Sequence, residues 1–173
     1  ILMIGWDGFL IPYRFHLDRG CNAESLFFLM DRSLRVLHFD NSLVTNLAFL
    51  VFLILQFAVS LLALFSKIET KAKLLAWSAA GVLCFMLFAK FYSPQWILWI
   101  SPFLILMART RRDIALIVAF DLLTYLYFPV AFHAWLVHHF ALFALLIVIK
   151  TGFLVYFLGT ALSGVYRDVG MEK

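Results

Sequence analysis

Charge is scarce in this chain of 173 residues. Asp, Glu, Lys and Arg together make up 14%, against about 25% in an ordinary soluble domain. That shortage excludes a normally solvated surface, because 65% of the residues are hydrophobic and the mean hydropathy is +0.98. A water-soluble fold of this length has too little interior to hide so much apolar area. Cysteine is limited to Cys21 and Cys84, with no CxxC spacing, which excludes a disulfide framework and a Cys-built zinc site. Also missing are an HExxH pair, a Gly-rich phosphate loop and any Ser/His/Asp ordering. His133, His138 and His139 cluster near one loop, but no carboxylate or Cys completes a ligand set, so neither metal nor cofactor is expected. The opening Ile1-Leu2-Met3-Ile4-Gly5 has no initiator Met, basic n-region or cleavage site, so the chain reads as the later part of a longer protein.

What is present is apolar length. A window of about 20 residues, which at 1.5 Å per residue crosses a hydrocarbon core of about 30 Å, finds membrane segments at 43–66, 74–92, 113–131 and 137–163. Residues 94–108 are shorter, opened by Ser93-Pro94 and interrupted by Ser101-Pro102, and read as a tilted span or a broken, partly re-entrant helix. Residues 1–13 read as the end of a truncated span. The expected fold is all-α, a polytopic transmembrane helix bundle forming one domain, and membrane lipids are its first partners.

The formal net charge of +4 does not point to nucleic acid, because the excess sits in two short loops. Lys67, Lys71 and Lys73 stand against Glu69, and Arg109, Arg111 and Arg112 against Asp113. The positive-inside rule makes both loops cytoplasmic. Residues 14–42 then face outward, their Arg14, Arg19, Arg32 and Arg35 balanced by Asp18, Glu24, Asp31 and Asp40. Within this outer segment, 23–38 predict a helix after an Asn22 cap, with Glu24 in the first turn. Leu26, Leu29, Met30, Leu34, Val36 and Leu37 share one face, and Glu24, Asp31, Arg32, Arg35 and His38 the other; Phe28 breaks the pattern. This is the signature of an interfacial amphipathic helix on the outer surface, or of a helix packed on a soluble domain.

Ionisable groups inside lipid are the informative ones, since an uncompensated charge at mid-bilayer costs about 2.5–3.5 kcal/mol on the lenient scale. Lys90 lies near the outer interface, where it either snorkels to headgroups or contacts an outward-facing anion such as a lipid phosphate. Asp121 and Lys150 are expected to form an interhelical ion pair, unless the last span begins only after Lys150, which would make that lysine interfacial.

Two stretches carry a family resemblance. Lys90-Phe-Tyr-Ser93-Pro94-Gln95-Trp96-Ile-Leu-Trp99-Ile-Ser-Pro102 resembles a recurring K-x-x-S-P-Q-(Y/W)-x-L-W-x-x-P motif of GT-C superfamily glycosyltransferases, most of all the prokaryotic polyprenyl-phosphate-mannose-dependent mannosyltransferases. Phe15-His16-Leu-Asp18-Arg19-Gly20-Cys-Asn-Ala-Glu24-Ser25 is similar to a (Y/F)-H-x-D-R-G-x-x-x-E-S segment of the same family, and Lys150-Thr151 stands where Arg-Asn is commoner. The resemblance covers nearly all of this chain but only the back part of the family's length. It implies a multi-pass protein, in the plasma membrane if prokaryotic, that moves a sugar, most often mannose, from a polyprenyl-phosphate donor to a glycolipid or glycan acceptor outside the cytoplasm. It further implies that Lys90, Ser93, Gln95, Trp96 and Arg19 hold the donor phosphate and sugar, with His16, Asp18 and Glu24 as auxiliary groups. The main acidic base is expected in a first outer loop upstream of this chain. For Asp18 and Glu24, charge pairing with Arg19 or Arg14 is the competing reading. A transporter or flippase, which also uses broken helices and buried charges, and a non-catalytic membrane subunit are the alternatives.

Overall fold

The computed structural model describes residues 24–36, 41–89, 91–126 and 139–167, together with residues 8, 10, 11, 22 and 128. The expectations for residues 1–13, His16, Asp18, Arg19, Cys21, Lys90, His133 and His138 fall for the most part or wholly outside the described residues. The described residues form six α-helices: α1 (Leu26–Val36), α2 (Asn41–Phe65), α3 (Lys71–Phe88), α4 (Ile97–Met107), α5 (Arg111–Tyr125) and α6 (Phe140–Arg167), with a 3-10 turn, Pro94–Trp96, leading into α4.

The helix starts are set by polar residues that accept from otherwise orphaned first-turn amides. Thr70 caps α3 by accepting from Lys73 N at 3.1 Å. At α5 a reciprocal box forms: Thr110 Oγ1 accepts from Asp113 N at 3.2 Å, while Asp113 Oδ2 accepts from Thr110 N at 2.8 Å and Arg109 N at 3.0 Å. Those backbone donors hold the Asp113 carboxyl below the usual carboxylate range. The α1 cap departs from expectation. Ser25 Oγ, not Asn22, accepts from Phe28 N at 3.2 Å, because the Asn22 side chain is engaged elsewhere.

Helix α3 is the centre of the bundle and contacts α2, α4 and α6. Its inner side is built of small residues: Ala79 and Ala80 are fully buried, with Ala76 and Cys84 nearly so. Small side chains let α6 approach closely, and a Cβ placed on Gly164 would stand 3.7 Å from the Ala76 Cβ. Around this axis Leu83, Ile100, Phe120, Phe143 and Ile147 are fully buried and form one continuous core.

The outward surface is apolar as well. On α2, Phe57, Leu64 and Phe65 are 69%, 76% and 80% exposed, a run of exposure that marks a membrane or partner face. Lys71–Phe88 and Phe140–Val165 are long and apolar enough to cross a membrane, by length and composition; Phe49–Phe65 and Pro94–Met107 are shorter apolar helices. The expected 74–92 segment is helical only to Phe88, because Ala89 turns extended at φ −68° and ψ 136°. Around Pro102, α4 remains a helix, with Ser101 Oγ donating to the Ile97 carbonyl at 2.8 Å, so the expected break is confined to the short turn at its entrance.

Helix α1 packs on the bundle against α2 and α6. Phe27, 1% exposed, meets the Phe52 and Phe49 rings edge-on at 4.9 and 6.1 Å. Phe28, which breaks the amphipathic pattern, turns to Phe140 at 6.4 Å, where Arg32 also lies 4.1 Å over that ring. Arg35 and Asp31 pair on the exposed side at 3.0 Å, a contact that adds little stability.

Candidate functional site

Three separate parts of the chain meet where α1 begins: the turn closed between Asn22 and Ser25, the irregular 91–93 stretch after α3, and the middle of α6. The joint is made by one side chain. Asn22 Oδ1 accepts from Tyr92 N at 2.9 Å, and Asn22 Nδ2 donates to the Tyr92 carbonyl, so the amide pairs with a backbone peptide 70 positions away as a neighbouring strand would. Nδ2 also donates to Glu24 Oε2 at 3.2 Å. The Asn22 carbonyl accepts from Ser25 N at 3.0 Å and from Ser25 Oγ at 2.9 Å, closing the turn that starts α1.

Lys150 enters this joint from α6. Its Nζ donates to the Glu24 carbonyl at 2.5 Å and lies 3.5 Å from the centre of the Tyr92 ring, a carbonyl and a cation–π face together. The side chain is 2% exposed. Lys150 is therefore a buried residue inside a continuous helix, and it is directed to Glu24 rather than to Asp121. The expected Asp121–Lys150 pair is corrected: the half-buried Asp121 on α5 has the Ser101 hydroxyl beside its carboxyl. Similar depth along two helices did not decide the partner; the face each helix presents did.

Glu24 is corrected too. The amphipathic pattern places it on a solvated polar face, yet it is 6% exposed, in the turn before the helix. Its Oε1 is buried without a hydrogen-bond partner among the described residues. Burial pushes the carboxyl up from 4.5 to about 7, with the Lys150 charge opposing the rise. Because the folded-state value is the higher one, the stabilising contribution is complete below about pH 4.5 and is lost as pH rises through about 7. The span corresponds to on the order of 3 kcal/mol. Thermal unfolding in detergent micelles is expected to show the native chain losing stability between about pH 5 and about pH 8 relative to Glu24→Gln; parallel pH profiles for the two proteins would contradict the buried carboxyl.

The remaining motif residues divide by exposure. Gln95 is exposed in the 3-10 turn and Ser93 is half-buried at its start. Trp96 is 5% exposed, enclosed by Phe85 at 4.7 Å, Phe91 at 5.4 Å, Tyr92 at 5.7 Å and Trp99 at 5.6 Å. These rings pack around Trp96, whereas Trp99 is 53% exposed. No group of three His, Cys, Asp or Glu suited to a metal occurs among the described residues. Asn22 and Tyr92, the two residues that join the segments, carry no motif signal of their own beyond lying inside the two resemblance stretches. No family model, curated protein or solved structure matches the chain, so the reading of this joint rests on its own geometry.

Proposed function

We propose that the chain is the later part of a multi-pass membrane glycosyltransferase of the GT-C type, moving a sugar, most simply mannose, from a polyprenyl-phosphate donor to a glycolipid or glycan acceptor on the non-cytoplasmic side. The observation that carries the reading is the convergence of all three resemblance segments, the turn at Asn22–Ser25, the Tyr92–Trp96 stretch and Lys150, on one hydrogen-bonded joint. Nothing in a helical hairpin register requires residues 22, 92 and 150 to meet.

In this reading the joint is a brace and not the reacting centre. Lys150 meets the backbone of Glu24 and Asn22 the backbone of Tyr92, so these side chains fix residues 22, 24 and 92, which Arg19, Lys90 and Gln95 neighbour in sequence. Lys90 and Arg19 hold the donor phosphate by charge-assisted hydrogen bonds, and the exposed Gln95 meets the sugar. Transfer breaks the bond from sugar C1 to the phosphate oxygen and forms one from C1 to the acceptor oxygen. The acceptor proton passes to a carboxylate base, and polyprenyl phosphate leaves.

The test is sugar transfer by the full-length protein in membranes from radiolabelled polyprenyl-phosphate mannose. Lys90→Ala and Gln95→Ala are each expected to lower the rate about tenfold or more, the usual weight of a hydrogen bond to a charged group, with protein levels unchanged. Full activity in both variants would sink the donor pocket. The irregular Ser93–Trp96 entrance to α4 also suits a transporter; that reading predicts lipid-linked sugar crossing the bilayer with no new glycosidic bond.

A further inference from the structure

The end of the bundle remote from the Lys150 joint holds a cavity of about 370 Å³ between the start of α3, the loop joining α4 to α5, and α6. It exists because two helices carry small residues there. Gly164 and Ala76 form its narrow side, and Thr160 and Ser163 line α6. Both hydroxyls donate to their own helix, Thr160 to the Tyr156 carbonyl at 3.0 Å and Ser163 to the Thr160 carbonyl at 2.9 Å, which leaves them oxygen lone pairs and no free proton. The residues of the lining that carry strong side-chain donors are Arg109 and Tyr156. Asp113, the acid in the wall, already accepts two backbone N–H groups through Oδ2. Lys71, Lys73, Arg111 and Arg112 flank the opening in sequence.

A second pocket, of about 20 Å³, adjoins the first at Met107, Asp113, Tyr156 and Thr160 and is too small for more than one carbon. Within the main cavity a cation-bearing residue, Arg109, shares the lining with Leu75, Leu106 and Met107, and Leu106 continues onto the outward apolar surface at 71% exposed. That order of polarity is the order found in a phospholipid: an anionic headgroup first, acyl carbon next. We propose that this cavity binds one anionic phospholipid, its phosphate at Arg109 and its proximal acyl carbon against Leu106 and Met107. Basic pockets between membrane helices on the positively charged side recognise such headgroups. The inference rests on the membrane placement of the bundle and not on sugar transfer.

The test is lipid retention by the full-length chain in detergent micelles, read by native mass spectrometry against phosphatidylglycerol, phosphatidylcholine and inorganic phosphate. Phosphatidylglycerol is expected to bind about tenfold more tightly than phosphatidylcholine, and Arg109→Gln to remove about that factor, the usual weight of hydrogen bonds to a charged group. Arg112→Gln, an equal loss of charge outside the cavity, should leave the preference intact, and Gly164→Leu should weaken both lipids by filling the floor. If Gly164→Leu does not fold, the Arg109 and Arg112 pair decides the matter alone. Equal binding of the two lipids, equal effects of Arg109→Gln and Arg112→Gln, or displacement of lipid by inorganic phosphate would each overturn the assignment. Carbonate extraction separates the two levels: release of the chain from membranes removes the membrane placement and this site with it, whereas a retained chain with no lipid preference removes this site alone.

Discussion

Lys150→Ala is expected to lower the stability of the bundle by about 3–5 kcal/mol, the range seen when one member of a buried charged pair is removed. Three losses coincide. The Glu24 carbonyl loses the N–H donor that reaches it from α6, and the Tyr92 ring loses the ammonium 3.5 Å from its centre. The space of a side chain only 2% exposed also becomes a void beside Ile147 and Leu154, with the further penalty a cavity carries. Lys150→Met separates these contributions, since the stem remains and only the ammonium goes. Adding Glu24→Gln to Lys150→Met should restore part of the loss, because the carboxyl then no longer sits buried beside a vanished cation. The coupling is read as the departure from additivity in a double-mutant cycle of unfolding in mixed micelles. Additive effects within about 0.5 kcal/mol would mean that Lys150 and Glu24 are neighbours without an energetic link. On the proposed glycosyltransferase reading, sugar transfer is expected to fall with stability in Lys150→Ala, whereas a variant that folds normally and still fails would move Lys150 from the brace to the reacting centre.

The helices were legible in this sequence because their signal is long and one-dimensional. Phe140–Arg167 and Asn41–Phe65 fall close to the 137–163 and 43–66 windows, since length and apolarity need no knowledge of neighbours. The end of α3 was less legible. Phe91 and Tyr92 carry the apolar pattern on past Lys90, and beyond the helix end Tyr92 is engaged by an amide 70 residues upstream, which no local pattern records. The place of Lys150 along the last helix was readable from the apolar window around it, but its partner was not. Depth is a coordinate along a helix axis, whereas the choice between Asp121 and Glu24 depends on rotation about that axis. Glu24 misled for a related reason: at 100° per residue it falls with Asp31 and Arg35, but it lies in the turn before the first helical residue, where helical phase does not apply.

Asn22→Asp is the sharpest test of the joint, because it keeps the shape of the side chain and reverses one half of its chemistry. Asn22 Nδ2 points at two acceptors, the Tyr92 carbonyl and Glu24 Oε2. The substitution places an oxygen there, so two hydrogen bonds become contacts between acceptors, and a negative charge arrives beside a carboxyl that burial already holds near neutrality. The bond from Tyr92 N at 2.9 Å survives, since an acceptor remains on that side. Leaving a buried acceptor without its donor costs about 1–3 kcal/mol, and two acceptors are affected, so a loss of about 3 kcal/mol is expected near neutral pH. The loss should shrink as pH falls, because the introduced carboxyl, once protonated, carries a donor again and Glu24 is then neutral. Asn22→Ala lacks that recovery, having no proton to regain. Chemical unfolding of both variants at about pH 5 and about pH 7.5 decides between the two behaviours. If Asn22→Asp and Asn22→Ala lose the same stability at both values, the amide is a space-filler. If only Asn22→Asp recovers in acid, the amide's donor side is what holds residues 22–25 against the 91–93 stretch, and the same acid recovery in sugar transfer would connect that hold to the loop bearing Lys90 and Gln95.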